Sequence, residues 1–126
     1  MRREAVNTVK APQAIGPYEQ AIKANGLVYT AGQIPLDPNT GEIVDGGVDV
    51  QTRRVLDNLE AVLQAAGSSL NQTIKTTIFL KDMKDFPTVN SVYQEYFGRA
   101  KPARTTVGVA ELPKGALIEM DAVALA

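Results

Sequence analysis

The sequence of 126 residues contains no histidine and no cysteine, and these two absences restrict its chemistry. Without histidine, the usual Ser-His-Asp and Cys-His nucleophilic arrangements are excluded. Without cysteine, disulfides and redox relays are excluded, and common ligands of zinc, haem and iron–sulfur sites are missing. Arginine, carboxylates, tyrosine, hydroxyls and amides remain. Such groups are suited to positioning a substrate and a water molecule, so we expect no metal, no cofactor and no covalent protein nucleophile.

The sequence also lacks a strong net charge and a long apolar run. Its formal net charge is −1, and the basic residues are scattered, which is a poor electrostatic footprint for nucleic acid. No apolar run reaches membrane-spanning length, and residues 1–7 lack the apolar core of a signal peptide. We therefore expect a cytoplasmic protein that binds neither membranes nor nucleic acid. The length predicts a single domain over residues 1–126.

The clearest local signal is Asn25-Gly26, which separates two short apolar segments and predicts a β-hairpin with a two-residue turn. From Asp49 onward the apolar residues recur at helical spacing and predict a helix with Asp49 as N-cap and Gly67 just beyond its end. The stripe that should face the core consists of Thr52, Val55, Leu56, Leu59, Val62, Leu63 and Ala66.

The second half of the chain predicts three strands and one more helix. The strands cover Ile74–Leu80, Arg104–Ala110 and Leu117–Leu125, and the helix covers Phe86–Phe97. This order predicts an α+β fold, with a mostly antiparallel sheet and both helices on one face. The turn around Leu112–Gly115 suggests that the last two strands form a hairpin. Because those strands are apolar on both faces, we expect a homo-oligomer that covers the second face.

Arg104 and Glu119 are the first candidates for chemistry. The guanidinium of Arg104 can grip a carboxylate through two hydrogen bonds, although a structural ion pair or a surface arginine is the commoner role. Glu119 lies in a mostly apolar strand and could hold a water molecule and accept its proton. It could equally form an ion pair with Arg104 or with a neighbouring subunit. In a terminal hairpin, Arg104 and Thr106 would share one face with Glu119.

Asn90 and Tyr18 are the next candidates. Asn90 falls among apolar residues of the predicted second helix, so its amide should have a partner, either a loop backbone or a ligand. Tyr18 follows a turn-prone Gly16-Pro17 pair, which could aim the phenol at a cleft or place it as a lid over the core.

Several segments, taken in order, point to one family. The chain resembles the RidA (YjgF/YER057c/UK114) family of reactive-intermediate deaminases over nearly its whole length. The segments that carry the resemblance are Ala14–Tyr18, Tyr29–Pro35, Thr76–Asp82, Pro102–Val107 and Leu112–Glu119.

The resemblance implies a chorismate-mutase-like fold, a homotrimer with clefts between subunits, and hydrolysis of 2-imino acids to 2-keto acids and ammonia. These imines and enamines are released by pyridoxal-phosphate enzymes. It implies that Arg104 binds the substrate carboxylate, and that Glu119 and the main-chain carbonyl of Thr106 hold the attacking water. The substrate-binding residues that it implies are Tyr18, Ala31, Gly32, Asn90 and Arg104.

Two positions depart from well-known members, which often have serine at Ala31 and cysteine at Thr106. Two other functions stay open. One is a non-catalytic module that binds a keto or amino acid or acts as a chaperone-like regulator. The other is an endoribonuclease or translation inhibitor, which has been attached to some relatives.

Overall fold

The computed structural model describes residues 2–126 and consists of six strands and two helices, with three short 3₁₀ turns between them. The strands are β1 Glu4–Val6, β2 Ala21–Ala24, β3 Leu27–Thr30, β4 Thr73–Leu80, β5 Ala103–Gly108 and β6 Ile118–Leu125. The helices are α1 Val48–Ala65 and α2 Phe86–Phe97. The short β1, which pairs with β2, has no counterpart among the predicted elements.

The predicted hairpin is confirmed as β2 and β3. Asn25 and Gly26 both have positive φ, 53° and 77°, as a two-residue hairpin turn requires. The register of Ala24 opposite Leu27 leaves only these two residues in the loop.

The first helix ends as predicted but begins differently. Gly67 adopts φ 79° just beyond α1, where glycine is favoured because it has no Cβ. The N-cap is Gly47, not Asp49, and no side chain caps this end. Asp49 lies in the first turn instead, where its negative charge is favourable next to the positive end of the helix dipole.

The strand order β1-β2-β3-β6-β4-β5 overturns the predicted terminal hairpin. Helix α2 connects β4 to β5 as a crossover, so those two strands are parallel and β5 lies at the sheet edge. The last strand then pairs antiparallel with both β4 and β3. The hairpin prediction was wrong because the segment between β5 and β6 carries the chain past β4 and does not fold back beside β5.

Both helices cover one face of this sheet, as predicted. The predicted α1 stripe is buried, with Val55, Leu56 and Leu59 fully inaccessible. Strand β6 contributes Ile118 and Met120 to the same core. Complete burial of each such side chain is worth roughly 1.5–3 kcal/mol, so this layer is the main source of stability. The opposite face keeps several large apolar side chains exposed, among them Tyr29, Val107 and Leu125.

Candidate active site

Arg104 projects from the edge strand β5 on the face that carries the helices. Its Nη1 donates a hydrogen bond of 2.7 Å to Oδ1 of Asn90 on α2. Its guanidinium carbon lies 4.8 Å from the ring centre of Tyr93 and 5.2 Å from that of Phe86. Cation–π contacts of this kind contribute about 0.5–1 kcal/mol at exposed sites. An amide and two aromatic rings therefore fix the direction of the guanidinium fork.

The Tyr93 ring is itself fixed in this position. Its hydroxyl makes a hydrogen bond of 2.8 Å with Oγ1 of Thr76, which is buried in β4 next to Arg104. Burial raises the pKa of Tyr93, while the bond to Thr76 and the charge of Arg104 act in the opposite direction. The phenol stays neutral near pH 7 and does not neutralise the guanidinium.

No carboxylate within the described residues pairs with Arg104. The salt bridge found among residues 2–126 joins two other residues, with 2.8 Å between Nη2 of Arg53 and Oε2 of Glu95, on the outer surface of the helices. Among residues 2–126, Arg104 therefore makes no structural ion pair, although it is exposed, as a surface arginine would be. The guanidinium instead borders a cavity of about 400 Å³ that Asn90 and Lys101 also line.

Glu119 lies on the opposite face of the sheet. Its neighbours in β6, Ile118 and Met120, point into the core, so alternation directs Glu119 to the face without helices. The side chain is half-buried. Burial raises the pKa of the Glu119 carboxyl, and the nearby charge of Asp121 raises it further. The Glu119 carboxyl therefore binds its proton more tightly than a free carboxyl does.

Gly32 allows the Glu119 carboxylate to lie where it does. A Cβ on Gly32 would overlap that carboxylate, so no other residue fits without displacing it. A short bridge to β6 holds this approach, because Gln33 and Met120 exchange backbone hydrogen bonds of 2.8 and 3.1 Å. The acid and the main chain of the 31–34 segment form one local unit.

Tyr18, Ala31 and Glu119 line one cleft of about 380 Å³, which also includes Gly32. Tyr18 is half exposed, so it does not cover the core and instead lines the cleft. Tyr18 and Ala31 also border a neighbouring cavity of about 580 Å³ that contains Arg3. The structure therefore brings four of the candidates together and leaves Arg104, Asn90 and Thr106 elsewhere.

The expectation that Arg104 and Thr106 share a face with Glu119 is wrong. It depended on the terminal hairpin, and β4 in fact separates β5 from β6. Arg104 is level with Thr76 and Glu119 with Phe79, positions three apart in β4 that point to opposite faces. One copy of the chain cannot direct both groups at one small substrate.

The main chain of Thr106 is available at the sheet edge. Val109 donates a hydrogen bond of 2.9 Å to the Leu80 carbonyl, and alternate residues of a strand bond to the same neighbour. Odd-numbered residues of β5 therefore bond to β4. The main-chain groups of Arg104 and Thr106 point to the open edge, where they can accept or donate hydrogen bonds.

Sequence reasoning missed the support around these groups. Phe86 and Tyr93 belong to the apolar residues that surround Asn90 on α2, and both hold the guanidinium. Their spacing of seven on α2, with Asn90 between them, is the signal that could have indicated a shared role. The contact between Gly32 and Glu119 has no local signal, because the two residues are distant in sequence.

Among residues 2–126 there is no cluster of three or more carboxylates that could hold a metal ion. Within the same range, neither helix is long and apolar enough to span a membrane.

Comparison with known proteins identifies relatives over the whole chain. A family model described as Endoribonuclease L-PSP matches residues 8–126. A RutC family protein of Pyrococcus abyssi is 55% identical over 124 residues, which cover 98% of each chain. The 2-iminobutanoate/2-iminopropanoate deaminase of Mus musculus is 46% identical over 123 residues, covering 98% of this chain and 91% of the mouse protein. The crystal structure of Escherichia coli TdcF with bound serine has a TM-score of 0.92 at 42% identity and covers 98% of both chains.

Proposed function

The chain belongs to the Endoribonuclease L-PSP family, the group that its sequence resemblance identified as RidA, and from this premise we propose that it is a 2-iminobutanoate/2-iminopropanoate deaminase. Its substrates are the short 2-imino acids, and their enamine tautomers, that pyridoxal-phosphate enzymes release. Its products are 2-keto acids and ammonia. The cytoplasmic location expected from the composition is part of the same proposal.

One observation carries the proposal: an oriented guanidinium has no carboxylate partner among residues 2–126. An arginine is always charged, and its planar fork matches a carboxylate through two parallel hydrogen bonds. With one Nη1 hydrogen bond used on Asn90, further N–H groups of Arg104 remain to bind the carboxylate of a 2-imino acid. A positive charge next to the imine carbon also favours attack by a nucleophile.

The reaction needs no nucleophile from the protein. A water molecule held by Glu119 and the main-chain carbonyl of Thr106 adds through its oxygen to the imine carbon. Glu119 accepts one proton from that water and passes it to the imine nitrogen, so the adduct carries a hydroxyl and an amino group. The C–N bond of this adduct then breaks as the hydroxyl proton is transferred, through Glu119, to the leaving nitrogen, which gives a 2-keto acid and ammonia. Because the imine is already electrophilic, correct placement can supply most of the rate enhancement.

Two copies of the chain build each site in this proposal. Arg104, Asn90 and the Thr106 carbonyl come from one copy, and Tyr18, Ala31, Gly32 and Glu119 come from the next. The exposed apolar side chains on the open sheet face, such as Tyr29 and Leu125, support association on that side. The assembly is a homotrimer with three clefts between subunits.

A binding module that does not turn over its ligand is the second candidate, because the similar TdcF was crystallised with serine. The same Arg104 fork would bind the carboxylate of an amino or keto acid. An endoribonuclease is suggested by the description of the family model alone. Against it stand the lack of histidine and the scattered basic residues.

The test is a coupled assay with semicarbazide as a competitor. Threonine or serine dehydratase generates the imine, semicarbazide traps it, and formation of the 2-keto acid is followed with and without this protein. We expect the protein to raise keto-acid formation above the trapped background. Arg104→Ala should abolish that gain, while Arg99→Ala, an exposed arginine close by, should retain it.

The outcomes separate the candidates. No gain from a folded, oligomeric wild-type protein that still binds 2-oxobutanoate would favour the binding module. Full turnover by Arg104→Ala would refute the role of the arginine. RNA cleavage by a pure preparation, lost in Arg104→Ala, would favour the ribonuclease.

A further inference from the structure

Residues 7–20, which connect β1 to β2, form one wall of the cleft that contains Glu119. The wall residues Pro12, Gln13 and Ile15 come from this loop. The segment has no regular secondary structure, yet Ala11 and Pro12 are buried. Buried backbone groups without partners are costly, so something must satisfy the carbonyls of this loop.

The side chain of Gln20 satisfies them. It is 2% exposed, and its Oε1 accepts a hydrogen bond of 2.7 Å from the Thr8 amide. Its Nε2 donates to the carbonyls of Thr8 at 3.0 Å and Pro12 at 2.7 Å, with a longer contact to Ala11 at 3.3 Å. One buried amide thus fixes both ends of the 8–12 segment.

The backbone of Gln20 reaches the facing wall. Its carbonyl accepts a hydrogen bond of 2.9 Å from the amide of Ala31, which precedes Gly32. The Gln20 side chain is therefore attached to the end of a strand and not to another loop. Any loss of the amide would release the 8–12 segment and leave the strand end in place.

The Glu119 wall does not depend on Gln20. The paired backbone hydrogen bonds of Gln33 and Met120 attach the Gly32 segment directly to β6. Loosening the loop should therefore change the room for a substrate side chain more than the position of the acid.

We propose that Gln20 is a positioning residue whose buried amide sets the loop wall against which the alkyl side chain of the substrate packs. The inference rests on the proposed deaminase function and adds to it a residue that controls affinity and side-chain preference. The loop wall presents the apolar Pro12 and Ile15, which suit a methyl or ethyl group. A fixed wall can distinguish these two substrates, because one methylene in an apolar pocket changes kcat/KM by about tenfold or more.

The experiment compares Gln20→Met with the wild-type protein on imines from serine and from threonine dehydratase. Methionine keeps the length of the side chain but provides neither the Nε2 donors nor the Oε1 acceptor. We expect KM to rise about tenfold with kcat within about twofold, and the preference between the two imines to shrink. The Kd of 2-oxobutanoate, measured by titration, should rise by a similar factor.

Ser68→Ala is the matched control, since Ser68 is a buried polar side chain that bonds to the Leu125 carbonyl away from the cleft. It should lower stability without changing KM. A fall in kcat with unchanged KM in Gln20→Met would show a structural role only and overturn the inference, as would unchanged kinetics and Kd.

If Gln20→Met does not fold, the same kinetic test is made with Gln20→Glu. This variant keeps the Oε1 acceptor for the Thr8 amide and loses the Nε2 donors. A raised KM supports the inference, and a normal KM overturns it. Absence of turnover in the wild-type protein is a different result, since it refutes the deaminase itself.

Discussion

Arg104 and Glu119 lie on opposite faces of one sheet, and their charged groups differ in exposure and in the contacts that hold them. The arginine is exposed at an edge strand, where Asn90 and two aromatic rings aim it. The acid is half-buried over Gly32, and its pKa is raised. A guanidinium keeps its charge in any setting, so only its direction has to be fixed. The proton affinity of a carboxyl, in contrast, changes with its surroundings. Substitutions on one face at a time can therefore test each half of this comparison.

After the complete loss expected for Arg104→Ala, the largest effect is expected from removing the acid. Glu119→Gln keeps the shape of the side chain but cannot accept a proton, so kcat/KM should fall by about 10²–10⁴-fold in the semicarbazide assay. Asp121→Asn, the next acid on the same face, is the matched variant and should retain most activity. Equal losses in both variants would show that the face needs negative charge in general and not a base at position 119.

The same Glu119→Gln variant should be slightly more stable at neutral pH. A carboxyl whose pKa is raised by folding binds more protons in the folded state, so its contribution to stability falls as pH rises through that pKa. The neutral amide removes this penalty. Thermal unfolding at pH 7 and at pH 4 should show the gain in melting temperature at the higher pH only.

A methyl group on Gly32 should move the acid without removing it. Gly32→Ala places a Cβ where the Glu119 carboxylate lies, so we expect a loss of about 10²-fold in kcat, as for a misplacement of about 1 Å. Gly41→Ala is the control, because a Cβ there meets nothing within 4 Å although φ is 73°. It should cost stability but not activity. Wild-type turnover in Gly32→Ala would contradict the role given to the close approach.

On the arginine face the expected effect is smaller. Asn90→Ala removes the hydrogen bond that orients the guanidinium but leaves the two aromatic rings. KM should therefore rise by about tenfold, which corresponds to the loss of one charge-assisted hydrogen bond. Ser91→Ala, exposed on the same helix, should have no effect. An unchanged KM for Asn90→Ala would mean that the rings of Phe86 and Tyr93 are sufficient to orient the Arg104 guanidinium.

The smallest effect concerns the pKa of Glu119. Burial is the main cause of its raised value and the charge of Asp121 a lesser one. Asp121→Asn should therefore lower the pKa of Glu119 by less than burial has raised it. Titration of the carboxyl carbon by NMR, with Glu119→Gln to assign the signal, measures this. A pKa that rises in Asp121→Asn would reverse the assigned sign.

Much of the fold could be predicted because its signals are local. The α1 stripe and the Asn25-Gly26 turn depend on residues close in sequence, and both were confirmed. The pairing of β5 could not be predicted in this way. Its strand is recognisable from Arg104 onward, but the choice between β4 and β6 as a neighbour depends on the crossover through α2.

The candidate site shows the same division. Arg104 and Glu119 were recognised by residue type and by family resemblance, whereas their separation follows from long-range pairing. The partner of Asn90 was expected to be a loop backbone or a ligand, and it is the Arg104 guanidinium. The buried bonds of Gln20 to the 8–12 loop have no sequence signal, because a glutamine at a strand end usually lies in solvent.

The central claim is that each site takes Arg104 from one copy and Glu119 from another. Mixing equal amounts of the inactive variants Arg104→Ala and Glu119→Gln, by co-expression or by refolding together, tests it directly. Random association into closed symmetric trimers should restore about a quarter of the wild-type activity, because some sites then combine an intact arginine with an intact acid. A mixture that stays inactive, although mass measurement shows mixed oligomers, would place both groups in one copy and contradict the account.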